Sequence, residues 1–304
     1  MQKGILSRLI IDEILISLKN EAYNFDYLFK KKIKNKKITI SDKKLIQNVV
    51  FCSLRNFLLI NRIIKTYVKK LDYKSDNYFL LLSAISQLIF LNFKEYAVVN
   101  STVEIAKLKK KANSKFINSV LRNVINDKEK IKIDDYLSDD LPNWFLEKIS
   151  KWNKKKKLDF IKTIKQKPSL NIVFKSIDEF KKTKINGEKT STLSIMPSDP
   201  SDIDKIKDFE KGNWWVQDFS VMLPIFLLNN IKGKYIADMC AAPGGKTFQL
   251  LSKKANVDSY ERNSKKVKLM QENIKRLDYN QKVILQDSLD INKNDYDIAV
   301  LDAP

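Results

Sequence analysis

From Leu6 to about Asn126 apolar residues recur at helical spacing with no Gly or Pro among them. That pattern predicts an all-helical domain, because the two residues that most often end a helix are missing from the whole stretch. Ser41 and Asp42 can cap the helix that carries Leu45, Val49, Val50, Cys52 and Leu54, since a short side-chain oxygen satisfies amides that would otherwise lack a partner. Asp76 and Asn77 precede a more continuously apolar helix, Tyr78 to Phe93, which belongs at the centre of a bundle. Val98 to Lys109 and Lys115 to Asn126 read as two further helices.

A linker begins near Asp127, marked by Asp134-Asp135, Ser138-Asp139-Asp140 and Leu141-Pro142. Beyond it, Trp144 to Ile164 reads as one helix and Leu170 to Phe174 as the first strand of a small mixed subdomain reaching about Asp218. From Tyr235 strand and helix alternate: Tyr235–Met239, a helix from Lys246, Val257–Tyr260, a helix through Leu277, Val283–Gln286 and Tyr296–Leu301. Alternation of that kind predicts a parallel, doubly wound sheet. The expected domains are therefore 1–128, 129–218 and 219–304.

The chain has 304 residues, of which 43% are hydrophobic, enough for a core in each of two domains. Its formal net charge of +21 points to a polyanionic partner, because each Lys or Arg that meets a phosphate releases condensed counterions. Compositional drift toward Lys, Ile and Asn accounts for part of that excess. No run approaches a membrane span, and the amino terminus leads into an amphipathic pattern, so a cytoplasmic protein with no membrane partner is expected. The chain has no histidine, which excludes Ser-His-Asp and Cys-His catalysis. Cys52 and Cys240 fit neither a disulfide framework nor a metal-ligand spacing, so no metal is expected.

Cys240-Ala241-Ala242-Pro243-Gly244-Gly245-Lys246-Thr247 follows a strand containing Asp238 and opens a helix. Paired glycines permit close backbone approach, and a helix amino terminus offers free amides to an anion. Gly245-Lys246-Thr247 matches the end of a phosphate-binding P-loop, but that loop needs Gly where Cys240 stands. A turn with no ligand is the simplest alternative. The stretch Asp238 to Thr247 closely resembles the cofactor motif of the RsmB/Sun family of RNA cytosine-5 methyltransferases. Upstream, Gln87–Leu91, Ala97–Asn100 with Glu104–Lys107, and Phe116–Arg122 resemble the later helices of NusB-type domains. Gly212, Val216, Gln217 and Asp218 resemble the family's lead-in to the sheet. The likeness covers nearly the whole chain and is strongest at 238–247.

The resemblance implies an all-α NusB-like domain followed by a Rossmann-like class I methyltransferase sheet that uses S-adenosylmethionine. It implies that Cys240, Ala241, Ala242, Pro243, Gly244, Gly245 and Lys246 wrap the methionine end of this cofactor. Glu261, where the family usually has Asp, would take the ribose hydroxyls. Asp287 would contact the adenine amino group, and Asp302 would lie beside the methyl donor and target base. Taken singly, each carboxylate reads as a solvated loop residue or a helix cap. Their order at successive strand ends favours the site, since open α/β sheets bind ligands there.

In that family a cysteine thiolate adds to carbon 6 of cytosine and makes carbon 5 nucleophilic. The resemblance places one family cysteine directly after Pro304 and the nucleophile further on, with neither Cys240 nor Cys52 a substitute. The expectation is thus a sheet with strands one to four only, in a fragment, a truncated gene product or half of a split enzyme, inactive alone, with a second polypeptide completing the sheet in the split case. Small-subunit ribosomal RNA is the implied partner. Asn100, Asn118 and Arg122 are candidates for polar structural or RNA roles. The basic runs Lys30–Lys37, Lys109–Lys111 and Lys154–Lys157 could hold phosphates, with Trp152, Trp214 and Trp215 available to stack or pack. Two other readings remain: an RNA-binding antitermination-type module without catalysis, and a different S-adenosylmethionine enzyme on the same sheet.

Overall fold

The structure, a computed structural model, describes residues 4–21, 23–131, 141–166, 168–198 and 203–303. The linker signals Asp134, Asp135 and Ser138–Asp140, and the terminal Pro304, lie outside the described residues. Two compact units divide the chain, Met1–Gln166 and Lys167–Pro304.

The first unit is helical, as its periodicity predicts: α1 (Ile5–Asn20), α2 (Phe25–Ile33), α3 (Ile40–Arg55), α4 (Phe57–Tyr67), α5 (Asp76–Ile85), α6 (Glu95–Leu108) and α7 (Ser114–Asn126). Every residue from Tyr78 to Ile85 is buried, which puts α5 at the bundle centre, packed on Ile10 and Ile14 of α1, Val49 and Val50 of α3 and Leu121 of α7. The helix widens into a π turn over Ser86–Phe90 instead of running evenly to Phe93. The cap of α3 is Thr39, not Ser41. Thr39 accepts from the Asp42 amide at 3.1 Å, and Asp42 accepts from the Thr39 amide at 3.3 Å. Asp42 is thus the reciprocal partner of a capping box.

Lys109 is not a free cation. Its ammonium pairs with the fully buried Asp12 of α1 and, at 2.9 Å, with Asp76 of α5. Burial pushes the Asp12 carboxyl up to about 6, against the pull of Lys109. A charge committed to a buried pair is withdrawn from a phosphate-binding face. The expected single helix Trp144–Ile164 is two, α8 (Asn143–Lys148) and α9 (Lys154–Lys165). Asn153 breaks it by accepting from the Lys156 amide at 2.8 Å, a new helix start that the apolar period conceals.

The second unit holds two sheets. The first comprises β1 (Ile172–Phe174), β2 (Gly187–Lys189), β3 (Ser194–Pro197) and β4 (Trp214–Val216), with α10 (Ile177–Lys182) after β1. Its strands are antiparallel in the order β2-β3-β1-β4. Alternation along β1 and β4 sorts the side chains: Ile172, Phe174 and Trp214 pack on Ile195 and Ile206, while Val173 and Trp215 pack on Met222, Phe248, Met270 and Ile274. Both tryptophans are buried, so they pack and do not stack on a ligand.

After α11 (Phe219–Phe226) come β5 (Tyr235–Met239), α12 (Gly245–Ser252), β6 (Asn256–Glu261), α13 (Ser264–Arg276), β7 (Val283–Leu285) and β8 (Ile298–Leu301). These strands form a wholly parallel sheet in the order β7-β6-β5-β8, which confirms the doubly wound expectation. The two sheets meet at the end of α13. Arg276 donates to the carbonyls of Phe209 and Trp214 at 2.9 and 3.1 Å, and Lys175 donates to the Leu277 carbonyl. Gly212 makes this approach possible. Its φ is +66°, and a Cβ there would lie 1.8 Å from the Arg276 carbonyl oxygen.

Gly212→Ala is therefore expected to destabilise the second unit by at least about 2 kcal/mol, combining left-handed strain with a backbone collision. Thr39→Ala should cost the helical unit about 1 kcal/mol. Denaturant unfolding checks both, and a Gly212→Ala midpoint equal to that of the wild type would refute the close-approach role.

Candidate cofactor-binding site

The site grows from the carboxyl end of β5. Cys240 turns the chain at φ +63°, and the Ala241 amide donates to the Tyr260 carbonyl at 2.9 Å, which fastens the turn to β6. The Gly244 amide closes back on the Ala241 carbonyl at 2.9 Å. Gly244 then starts α12 at φ +112° without a side-chain cap. Any Cβ there would strike the Phe248 ring at 2.3 Å. The amides of the first helical turn have no partner inside the helix. Asp238 takes that of Thr247 together with its hydroxyl, the latter at 2.5 Å, so those of Gly245 and Lys246 are left for an anion.

Strand register sets the geometry of the acidic residues. Met239 of β5 pairs with Tyr260 of β6 on one side and with Leu301 of β8 on the other. The next residue on each strand is Glu261, Cys240 or Asp302, so the two carboxylates flank the turn at one level, each about 5 Å of backbone spacing away. Glu261 is only 5% exposed and accepts from the Asn263 amide at 2.9 Å. Asp287 follows β7, accepts from the Leu289 amide at 3.1 Å and faces Arg262 at 3.3 Å. The Leu289 amide and the Arg262 guanidinium hold its carboxyl below the usual range. Asp302 pairs with Lys246, whose side chain is 10% exposed.

A cleft of about 330 Å³ is lined by Cys240, Ala241, Ala242, Pro243, Gly245, Lys246 and Asp302. Gly244 lies behind this lining as the helix cap. Glu261 and Asp287 are also outside it, on the neighbouring strand tips. A second, more apolar hollow of about 430 Å³ adjoins it at Lys246 and Asp302, between α11 and the outer edge of β8.

Three contributors were not singled out as site residues from sequence. Asp238 is buried, and burial pushes its carboxyl up to about 6 although Thr247 and Lys246 pull it down. In the sequence Gln217 reads only as part of the lead-in. It is buried, accepts from Trp215 Nε1 at 2.8 Å and donates to Gln249 Oε1 at 2.9 Å. Gln249 in turn donates to the Met222 carbonyl at 3.1 Å. The Gln217 side chain lies 3.4 Å from where a Cβ on Gly245 would stand, so it backs the glycine turn directly. Lys266, in the first turn of α13, reaches the cleft and carried no sequence signal beyond its charge.

A parallel 3-2-1-4 sheet with a glycine turn and acidic strand tips defines a methyltransferase-type nucleotide-binding sheet, carried in this chain with a helical bundle. Residues 6–126 match the NusB family, and residues 225–304 match 16S rRNA methyltransferase RsmB/F. The chain is thus similar to RsmB/F-type ribosomal RNA methyltransferases in its second unit and to the NusB family in its helical unit. It is 29% identical over 291 residues to the ribosomal RNA small subunit methyltransferase B of Photorhabdus laumondii, covering 88% of this chain and 67% of the relative. It is 25% identical over 297 residues to a probable methyltransferase B of Coxiella burnetii, with 86% and 67% covered. The chain thus spans about two thirds of the length of these relatives. Among solved structures, that of PH0851 superposes with a TM-score of 0.67 at 16% identity, covering all of this chain and 75% of that one, a likeness of fold.

Asp238 generates a pH prediction. Its folded value of about 6 lies above the ordinary 3.8. Its contribution to stability is therefore fully present below about pH 4 and lost as pH rises through about 6. Asp238→Asn carries no charge at any pH, so its melting temperature should gain on that of the wild type between pH 4 and pH 7, by the equivalent of up to about 3 kcal/mol. A gap between the two proteins that does not change with pH would count against a strained buried carboxyl.

Proposed function

We propose that the cleft holds S-adenosylmethionine and that the second unit serves methylation of cytosine carbon 5 in small-subunit ribosomal RNA, with the helical unit engaging the RNA. A cytoplasmic setting follows from that substrate. No helix among the described residues is long and apolar enough to cross a membrane. The observation that carries the reading is the level placement of Glu261, the Cys240–Lys246 turn and Asp302 on three adjacent parallel strands, with Asp287 on the fourth.

The residues present fit that cofactor. The free amides of Gly245 and Lys246 suit its carboxylate. Glu261, fixed by the Asn263 amide, suits the ribose hydroxyls, and Asp287, oriented by Leu289 and Arg262, suits the adenine amino group. When bound, S-adenosylmethionine supplies an electrophilic methyl group. Lys246 and Asp302 hold each other where the two hollows join, which positions a carboxylate to accept a hydrogen bond from a base entering there. The base must leave its stack, at about a few kcal/mol.

No nucleophile is assigned among these residues. Cys52 is buried in the helical unit and Cys240 belongs to the turn. The outer edge of β8 has no strand partner among the described residues, and Leu301 is 65% exposed. A further parallel strand fits that edge, so completion of the sheet by additional polypeptide is part of the proposal.

Calorimetric titration with S-adenosylmethionine tests the assignment. The wild-type chain should bind, and Glu261→Ala should weaken binding about tenfold or more through loss of a charge-assisted hydrogen bond. Folded protein that shows no heat of binding would overturn the cofactor reading. RNA retention in that same material would favour a binding module.

A further inference from the structure

We propose that the outer face of α2 is a stacking platform for single-stranded RNA, separate from the cofactor cleft, in which Tyr23 and Tyr27 take bases and the lysines from Lys30 to Lys37 take phosphates. Tyr27 and Lys31 lie four residues apart on this helix, and Tyr23, just ahead of the cap Asn24, lays its ring against Tyr27. Phe25 and Leu28 face the opposite way into the core. The two tyrosine rings stack at 4.5 Å with an interplanar angle of 28°. They nevertheless remain 48% and 47% exposed. Lys31 Nζ lies 5.7 Å from both ring centroids, within cation–π range.

Each feature alone has an ordinary explanation. Lysines in the last turn of a helix favour its dipole, and single exposed aromatic residues are common. Their combination is not explained that way. The lysine run continues past the C-cap Lys34 through Lys36 and Lys37, beyond the last turn that the helix dipole favours. From Tyr23 to Lys37 there are six lysines and one carboxylate, Asp26. Glu13 takes Lys32 and Lys36 at 3.4 and 3.9 Å, while Lys30, Lys31, Lys34 and Lys37 stay exposed.

The other basic runs lack this arrangement. Lys109 is bound to Asp12 and Asp76, and Trp152, beside Lys156, is packed against Phe160. Exposed paired rings beside a cationic track are what an unpaired strand needs, because every base has a face to stack and every linkage a charge. A duplex hides its base faces and would use only the lysines. The choice of RNA over other single strands rests on the family reading, whereas the platform itself does not.

The test uses the full chain and a fluorescein-labelled oligouridine strand, with affinity read as salt is varied. Tyr23→Ala with Tyr27→Ala should weaken binding about tenfold or more, the loss of about one stacked base. Tyr23→Phe with Tyr27→Phe keeps the rings and should bind like the wild type. Lys30→Glu, Lys31→Glu and Lys34→Glu together, all at exposed positions, should flatten the dependence of log affinity on log salt by about 2, at about 0.7 per phosphate. If the alanine pair fails to fold, the phenylalanine pair and the lysine triple decide. Unchanged affinity and slope in the triple, or lost binding in the phenylalanine pair, would overturn the proposal. So would a set of variants that loses binding to phosphatidylserine vesicles and keeps binding to the strand. S-adenosylmethionine titration of the same variants should be unchanged, so a failure of the cofactor reading is distinguishable from a failure here.

Discussion

The second unit depends on how its glycine turn is held at the carboxyl end of β5. A loop of small residues has little side-chain packing to hold it, and fixing each backbone residue costs about 1–2 kcal/mol of entropy. Here the restraint comes from hydrogen bonds. Ala241 reaches the backbone of β6, Gly244 closes on Ala241, and the buried Asp238 takes both the amide and the hydroxyl of Thr247. A carboxylate in that position is costly to desolvate, and the raised titration of Asp238 records the cost. In return the first turn of α12 is pinned with two amides still free.

The small antiparallel sheet is the second restraint on the same turn. Trp215 and Val173 present their apolar faces to Phe248, Met270 and Ile274, and Gln217 carries that contact into a polar relay behind Gly245. Arg276 and Lys175 lock the end of α13 onto the same sheet. Cofactor loop, α13 and small sheet therefore form one packed body, so the lead-in residues Gly212 and Gln217 belong to the site although they are distant from it in sequence.

Elements with a strong period were legible. The strand Tyr235–Met239 has the predicted bounds, and the apolar run after Asp76 is the central helix. Starts and breaks were less so. A helix start depends on which oxygen meets which amide, and Thr39 outcompetes Ser41 only because Asp42 returns the bond. Likewise Asn153 divides what reads as one helix, since an apolar period can run on across a turn. The cofactor turn was legible because its glycines and proline are rare in this chain. Lys266 and the relay through Gln249 were not, because a polar residue on a helix face has no distinguishing pattern until its neighbour is known.

By itself the sequence determined the division into helical bundle and parallel sheet, the order of strands and helices within that sheet, and the acidic residue at each strand tip, since these follow from local period and turn chemistry. Tertiary structure alone decided that Asp302 lines the cleft with the turn while Glu261 and Asp287 stand beside it. Strand register brings Glu261, Cys240 and Asp302 level, and it is set by pairing between segments far apart in the chain. The same holds for charge. Lys109 and Lys31 look alike in sequence, but one is committed to a buried carboxylate and the other lies over an exposed pair of rings, because only folding determines which cations find partners.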